Sequence, residues 1–108
     1  MKENFKAIHK ILSELEKAMD NGRIEKIKIN AEAVELTENR WNALMKMLYD
    51  NNYIEGIKVK ELTDRVLITS IEDTRITLKG LEYLKENSAM RKFTEGAKAV
   101  VDVASSII

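Results

Sequence analysis

The 108-residue chain contains no cysteine and no proline. The lack of cysteine excludes disulfides, thiolate zinc sites and cysteine nucleophiles, and it fits a reducing cytosol. Because proline is absent, no helix has to break at one. The chain has a single histidine, His9, which argues against histidine-pair metal sites and a conventional Ser-His-Asp triad. We therefore expect no enzymatic activity, metal or cofactor, and we interpret His9 as a partly exposed helix residue.

Long hydrophobic runs are also absent. No stretch approaches the ~20 apolar residues of a membrane span, and the N-terminal MKENFKAIHK lacks the apolar core of a signal peptide. We expect a cytoplasmic protein without a membrane partner. The chain also has no excess of either charge, because 18 basic residues balance 18 acidic ones. This balance counts against strong nonspecific polyanion binding but leaves room for a local basic patch.

The overall composition is typical of a globular protein. Hydrophobic residues make up 44% of the chain and charged residues 33%, and 108 residues correspond to one domain with one core. We predict a single domain in which residues 1–87 form the main body and residues 88–108 add a C-terminal helix.

Apolar residues at helical spacing predict two helices in the first half. The first, ending at Asn21-Gly22, carries the stripe Phe5, Ile8, Leu12, Leu15 and Met19. The second, over 37–50, starts at the N-cap Thr37 and turns Trp41, Leu44, Met45 and Leu48 inward. Between them we predict a short strand over 27–29 and a short helix over 31–35 capped by Asn30.

The second half predicts a hairpin and another helix. Strands over 53–60 and 66–71 enclose a polar turn at 61–65, and Gly56 indicates a bulge or a close backbone approach. Thr77 then caps a helix that buries Leu78, Leu81 and Leu84. Glycine in its first turn, at Gly80, weakens the helix by up to ~1 kcal/mol. We interpret Gly80 as a place where a side chain would collide with a neighbour. Lys79 opposes the helix dipole, and it either serves a partner or is neutral.

This order of elements predicts an α+β fold of the winged helix-turn-helix type, with a three-helix core, a small antiparallel sheet and an additional C-terminal helix. The hairpin over 53–71 would be the wing, and the short strand at 27–29 would complete the sheet. Two acidic residues after the wing, Glu72 and Asp73, are too few ligands to predict a cation site.

Two blocks of the sequence carry a family resemblance. They are LTENRWNALMKMLYDNNYIEG (36–56) and RITLKGLEYLKENSAMRK (75–92). With them the chain resembles the YjcQ-like family, small winged-helix proteins common in phages and prophages of Gram-positive bacteria. The resemblance implies a winged-helix fold over nearly the whole chain. It implies no assigned activity, so no catalytic or ligand residue is carried over.

The helix-turn-helix pattern makes double-stranded DNA the first candidate partner. The outward residues of helix 37–50 would enter the major groove, where asparagine can pair with adenine and arginine with guanine. The wing and the residue beyond it would contact phosphates. The predicted DNA-binding residues are Asn39, Arg40, Asn42, Lys46, Lys58, Lys60, Arg65 and Arg75. Helix 37–50 has no net charge, so an ordinary solvated face, or a protein–protein adaptor without DNA binding, stays open.

The sequence over 88–108 predicts a last helix and, through it, a second contact surface. Ser88 would cap it, and its apolar stripe consists of Met90, Phe93, Ala97, Val100, Ala104 and Ile107. Small residues on the stripe permit a close helix approach. We predict that these six residues form a homodimer interface, and the alternative is that the helix folds back onto the first helix.

Overall fold

The computed structural model describes residues 2–22 and 28–87. Within these ranges the chain forms three α-helices and four short antiparallel strands, an α+β architecture. The helices are α1 (Lys2–Asn21), α2 (Glu38–Asp50) and α3 (Leu78–Glu86); the strands are β1 (Ile54–Glu55), β2 (Lys58–Glu61), β3 (Val66–Ser70) and β4 (Arg75–Ile76). The predicted helix over 88–108 and its six interface residues lie outside the described residues.

Helix α1 buries a face that is rotated from the predicted stripe. Leu12 and Leu15 are buried as expected, but Phe5 is 45% exposed and Met19 is 60% exposed. Ile11, which the predicted stripe left out, is fully buried. The buried face is centred near Ile11 and Leu15, about a quarter turn from Phe5 at 3.6 residues per turn. The prediction for these two end residues was therefore wrong.

His9 is a further correction on α1. It is buried, with 1% exposure, rather than partly exposed. The hydroxyl of Ser13, one turn along the helix, lies 3.3 Å from its Nδ1. A hydroxyl at that distance lowers the cost of burying an imidazole.

The segment before α2 is a turn. Lys28 and Ile29 are not in a strand, and residues 31–35 form turns rather than a helix. The predicted cap is present, since Asn30 Oδ1 accepts a hydrogen bond from the Ala33 amide at 2.8 Å. Five residues are too few to propagate a helix against its nucleation cost, and Glu35 ends the turn with φ 59°.

Helix α2 begins and packs as its sequence predicts. Thr37 Oγ1 accepts from the Arg40 amide at 3.2 Å. Trp41, Leu44, Met45 and Leu48 are all buried. The indole Nε1 of Trp41 donates to the Ile29 carbonyl at 2.7 Å, which ties the preceding turn to the core.

Gly56 divides the predicted strand over 53–60 into β1 and β2. Its φ is +90°, and a Cβ there would lie 2.0 Å from the Asp73 carbonyl oxygen. The close backbone approach predicted from Gly56 is confirmed. As a result β1 pairs with β4, whereas β2 pairs with β3, in two separate two-stranded sheets.

Helix α3 confirms the cap at Thr77, whose Oγ1 accepts from the Gly80 amide at 3.1 Å. A Cβ on Gly80 would lie 2.5 Å from the Tyr53 carbonyl oxygen and 2.6 Å from Ile76 Cγ1, so the predicted collision is confirmed. Leu84 is buried, but Leu78 is 73% exposed, against prediction, because it starts the helix on the side away from the core. Lys79 Nζ stands 4.9 Å from the Tyr53 ring centroid, a cation–π contact.

The core joins α1, α2, α3 and the strand ends. Three helices with two small antiparallel sheets are compatible with the winged-helix prediction. The short helix expected over 31–35, which would have formed the tight helix pair with α2, is replaced by turns. No helix in the described ranges is long and apolar enough to cross a membrane.

Candidate functional site

The outward face of α2 is open and mostly uncharged. Asn39, Arg40, Ala43 and Met47 are exposed and lie on one side of the helix. Arg40 Nη1 donates to Asn4 Oδ1 at 3.3 Å, which positions the guanidinium over the start of α1. Two of the four predicted base-reading residues, Asn39 and Arg40, therefore lie on the surface at the N-terminal end of α2.

Asn42 does not belong to that face. It is 6% exposed, and its Oδ1 accepts a hydrogen bond from the Ile68 amide of β3 at 3.1 Å. The prediction that it points outward was wrong because the β2–β3 hairpin packs against this side of α2 and its backbone needs an acceptor. Asn42 thus fixes the hairpin to α2.

Lys46 is at the surface but is paired. Its Nζ lies 2.6 Å from Asp50 Oδ2 and 3.8 Å from Glu61 Oε1. The hydrogen bond to Asp50 raises the pKa of Lys46 above its ordinary value, and the charge of Glu61 adds to the rise. Two carboxylates therefore offset the one ammonium near the C-terminal end of α2.

The β2–β3 hairpin has two chemically different faces. Val59 packs against the core and Glu61 faces Lys46, so these residues mark the face turned toward α2. Side chains alternate along a strand. Lys58 and Lys60, both exposed, therefore lie on the opposite face, which we call the outer face of the hairpin.

The two predicted arginines differ in their surroundings. Arg65 is exposed at the hairpin turn, where its carbonyl accepts from the Leu62 amide at 2.8 Å. Arg75, on β4, pairs with Glu55 on β1, with Nη2 and Oε2 3.2 Å apart. In the part of the chain that the structure describes, Lys58, Lys60 and Arg65 form no ion pair within 4 Å, whereas Lys46 and Arg75 do.

The sequence alone did not identify two features of this region. Met47 is 52% exposed and Tyr49 is 41% exposed, which adds apolar surface to α2. Their positions outside the inward set of Trp41, Leu44, Met45 and Leu48 were the available signal. The contact of Glu61 with Lys46, which links the hairpin to α2, had no such signal in the sequence. The two residues are 15 positions apart in the chain.

A cleft of about 780 Å³ lies between the end of α1 and the loop before β4. Apolar Leu15 and Ile76 line it together with Glu72 and Asp73. Among residues 2–22 and 28–87 there is no group of three or more side chains that could hold a metal ion.

A capped helix with an exposed outward face, joined to a hairpin that carries exposed cations, forms a candidate binding surface on a small α+β domain. The family model of the YjcQ protein matches residues 9–103. The chain therefore belongs to the YjcQ family. A search of curated proteins and a search of solved structures each return no match.

Proposed function

We propose that this protein is a winged helix-turn-helix protein of phage or prophage type that binds double-stranded DNA in a regulatory role. The N-terminal end of α2 would enter the major groove with Asn39 and Arg40, and the hairpin would contact phosphates. The observation that carries the proposal is the set of hairpin cations without a carboxylate partner in the described ranges, Lys58, Lys60 and Arg65. The hairpin that carries them packs beside α2, whose outward residues are exposed.

Charge pairing divides the predicted contacts into two groups. Lys58, Lys60 and Arg65 can release counterions from phosphates without breaking an ion pair first. Lys46 would have to leave Asp50, and Arg75 would have to leave Glu55. We therefore expect the hairpin to supply most of the phosphate binding, and α2 to supply any preference for one base sequence.

The test is fluorescence anisotropy of a labelled duplex library at about 50 and 200 mM salt. Each phosphate contact contributes about one unit to the slope of log affinity against log salt. Lys60→Ala should lower that slope by about one, and Lys46→Ala should lower it less because Lys46 is paired. Arg40→Ala should reduce the preference among duplexes while leaving thermal stability nearly unchanged. Absence of binding at the lower salt would refute the proposal.

A second candidate function is a protein–protein adaptor that binds through α2. The exposed side chains of Met47 and Tyr49 favour it, because methionine and tyrosine are enriched in the cores of protein interfaces. Ala43→Arg places a bulky charge in the middle of the outward face. If α2 packs on a protein, this variant should lose the partner in a pull-down. If α2 reads DNA instead, added duplex should compete with the protein partner for the outward face of α2 in the wild-type chain.

A further inference from the structure

Strand β2 has one paired edge, and its other edge, which we call the open edge, is unpaired among the described residues. Its partner β3 lies on one side, with Lys60 opposite Leu67 and Glu61 opposite Val66. On the other side, no strand of the described ranges pairs with it. An open edge presents a row of backbone donors and acceptors to solvent and is a template for another strand.

The hydrogen bond to Asn42 shows which backbone groups point outward. The Ile68 amide donates to Asn42 Oδ1 at 3.1 Å, so it points away from β2. Val59 and Ile68 are therefore a non-hydrogen-bonded pair of the antiparallel ladder. In a pair of this kind, both residues direct their N–H and C=O away from each other. Val59, opposite Ile68, therefore directs its N–H and C=O to the open edge, and Glu61 does the same two residues on.

The side chains beside this edge carry positive charge. Lys58 and Lys60 are exposed on the outer face of the hairpin and flank the outward backbone groups of Val59. Across the hairpin on β3, Lys58 lies opposite Ser70 and Lys60 lies opposite Leu67, and neither neighbour carries a charge. An added strand with carboxylates at alternating positions would place them beside Lys58 and Lys60, and opposite charges on adjacent strands stabilise a pair.

The same charges disfavour a second copy of β2 as the occupant. A two-fold antiparallel pairing must match residues of one face. The closest registers then place Lys58 opposite Lys60, or Lys60 opposite itself. Like charges directly opposite each other destabilise a sheet, so β2 is protected against pairing with itself.

From the backbone directions and the two lysines, we propose that the open edge of β2 binds an extended acidic segment of a partner protein as an added antiparallel strand. Val59 and Glu61 supply two N–H donors and two C=O acceptors for the ladder. Lys58 and Lys60 select carboxylates at alternating positions of the segment. This mode of recognition takes affinity from main-chain bonds and specificity from alternate side chains.

The first test uses a fluorescein-labelled peptide that alternates glutamate and valine over six residues. We expect the full chain to bind it without DNA present. The matched control peptide has the same sequence with N-methyl groups on alternate amides, which keeps every charge but removes ladder donors. Loss of binding to the methylated peptide supports the proposal. Equal binding of both peptides would overturn it, because charge alone would then explain the affinity.

The second test locates the peptide on β2. In an NMR hydrogen-exchange measurement, the amides of Val59 and Glu61 should exchange more slowly when the peptide is bound. The double variant Lys58→Glu and Lys60→Glu should weaken peptide binding by about tenfold or more. The matched double variant Lys6→Glu and Lys85→Glu reverses two exposed charges on α1 and α3 and should bind normally. Unchanged exchange of both β2 amides would refute the proposal.

DNA binding is a separate outcome of the same experiments. A duplex that binds through Lys58 and Lys60 would leave exchange at Val59 and Glu61 unaltered. A chain that binds duplex but not the peptide would overturn this inference and leave the proposed function standing. A chain that binds the peptide but no duplex would do the reverse.

Discussion

At Gly80, helix propensity and available space favour different residues. Alanine is preferred over glycine inside a helix by about 1 kcal/mol. A Cβ at this position, however, would lie 2.5 Å from the Tyr53 carbonyl oxygen, which also accepts the Thr77 amide. Moving that carbonyl would disturb the start of α3. The contact therefore outweighs the propensity.

We expect Gly80→Ala to lower the free energy of unfolding by about 1–3 kcal/mol, the usual cost of overpacking. Urea unfolding measures it. Glu82→Ala, at an exposed position of the same helix, is the control and should stay within about 0.5 kcal/mol of the parent. A Gly80→Ala variant more stable than the parent would show that the neighbours of Gly80 move at little cost.

The side chain of Tyr83 should make the stability of the protein depend on pH in the alkaline range. Burial raises the pKa of its phenol above the ordinary value of about 10, and the nearby Tyr53, whose ring is 5.6 Å away, adds to the rise. Because the raised pKa favours the neutral form, this contribution to stability is present below about pH 10 and is lost as pH rises through the raised pKa.

A ¹³C NMR titration of the Tyr83 Cζ should therefore have its midpoint above the ordinary value. Tyr53→Phe should lower the midpoint part of the way, because the effect of burial remains. A midpoint at or below the ordinary value in the parent protein would contradict the prediction.

Among the elements, the contact between α2 and the β2–β3 hairpin includes one buried amide, that of Asn42. Replacing Asn42 with alanine leaves the Ile68 N–H without its acceptor, which costs about 1–3 kcal/mol. Asn39→Ala on the exposed face of α2 is the matched control and should change stability by less than about 0.5 kcal/mol. Thermal unfolding compares the two. Equal losses would mean that Asn42 does not hold the hairpin.

The same elements show how far sequence reasoning reaches. The caps Thr37 and Thr77 were predictable because a cap acts on an amide three residues away. The inward set of α2 followed from its period. The burial of Asn42 was not predictable, because its partner Ile68 is 26 residues distant and its position depends on how the hairpin packs. The division of the strand at Gly56 could be anticipated only as a bulge or a close approach.

For the whole molecule, the sequence predicts a homodimer through the stripe that contains Phe93. Under this prediction, Phe93→Glu should give a monomer that is still folded, because a charge at an interface opposes association. Light scattering coupled to size-exclusion chromatography measures the mass. An aggregating variant would instead place Phe93 in the core of one subunit.

The buried position of Trp41 gives the protein an optical reporter of its own. It is the only tryptophan in the chain, it is 7% exposed, and its indole is bound to the Ile29 carbonyl. Unfolding would transfer that indole from an apolar setting to water and shift its emission to longer wavelength. Since it lies on the side of α2 away from the open face, the signal should follow folding rather than ligand contact. Label-free fluorescence can therefore separate a variant that unfolds from one that only fails to bind.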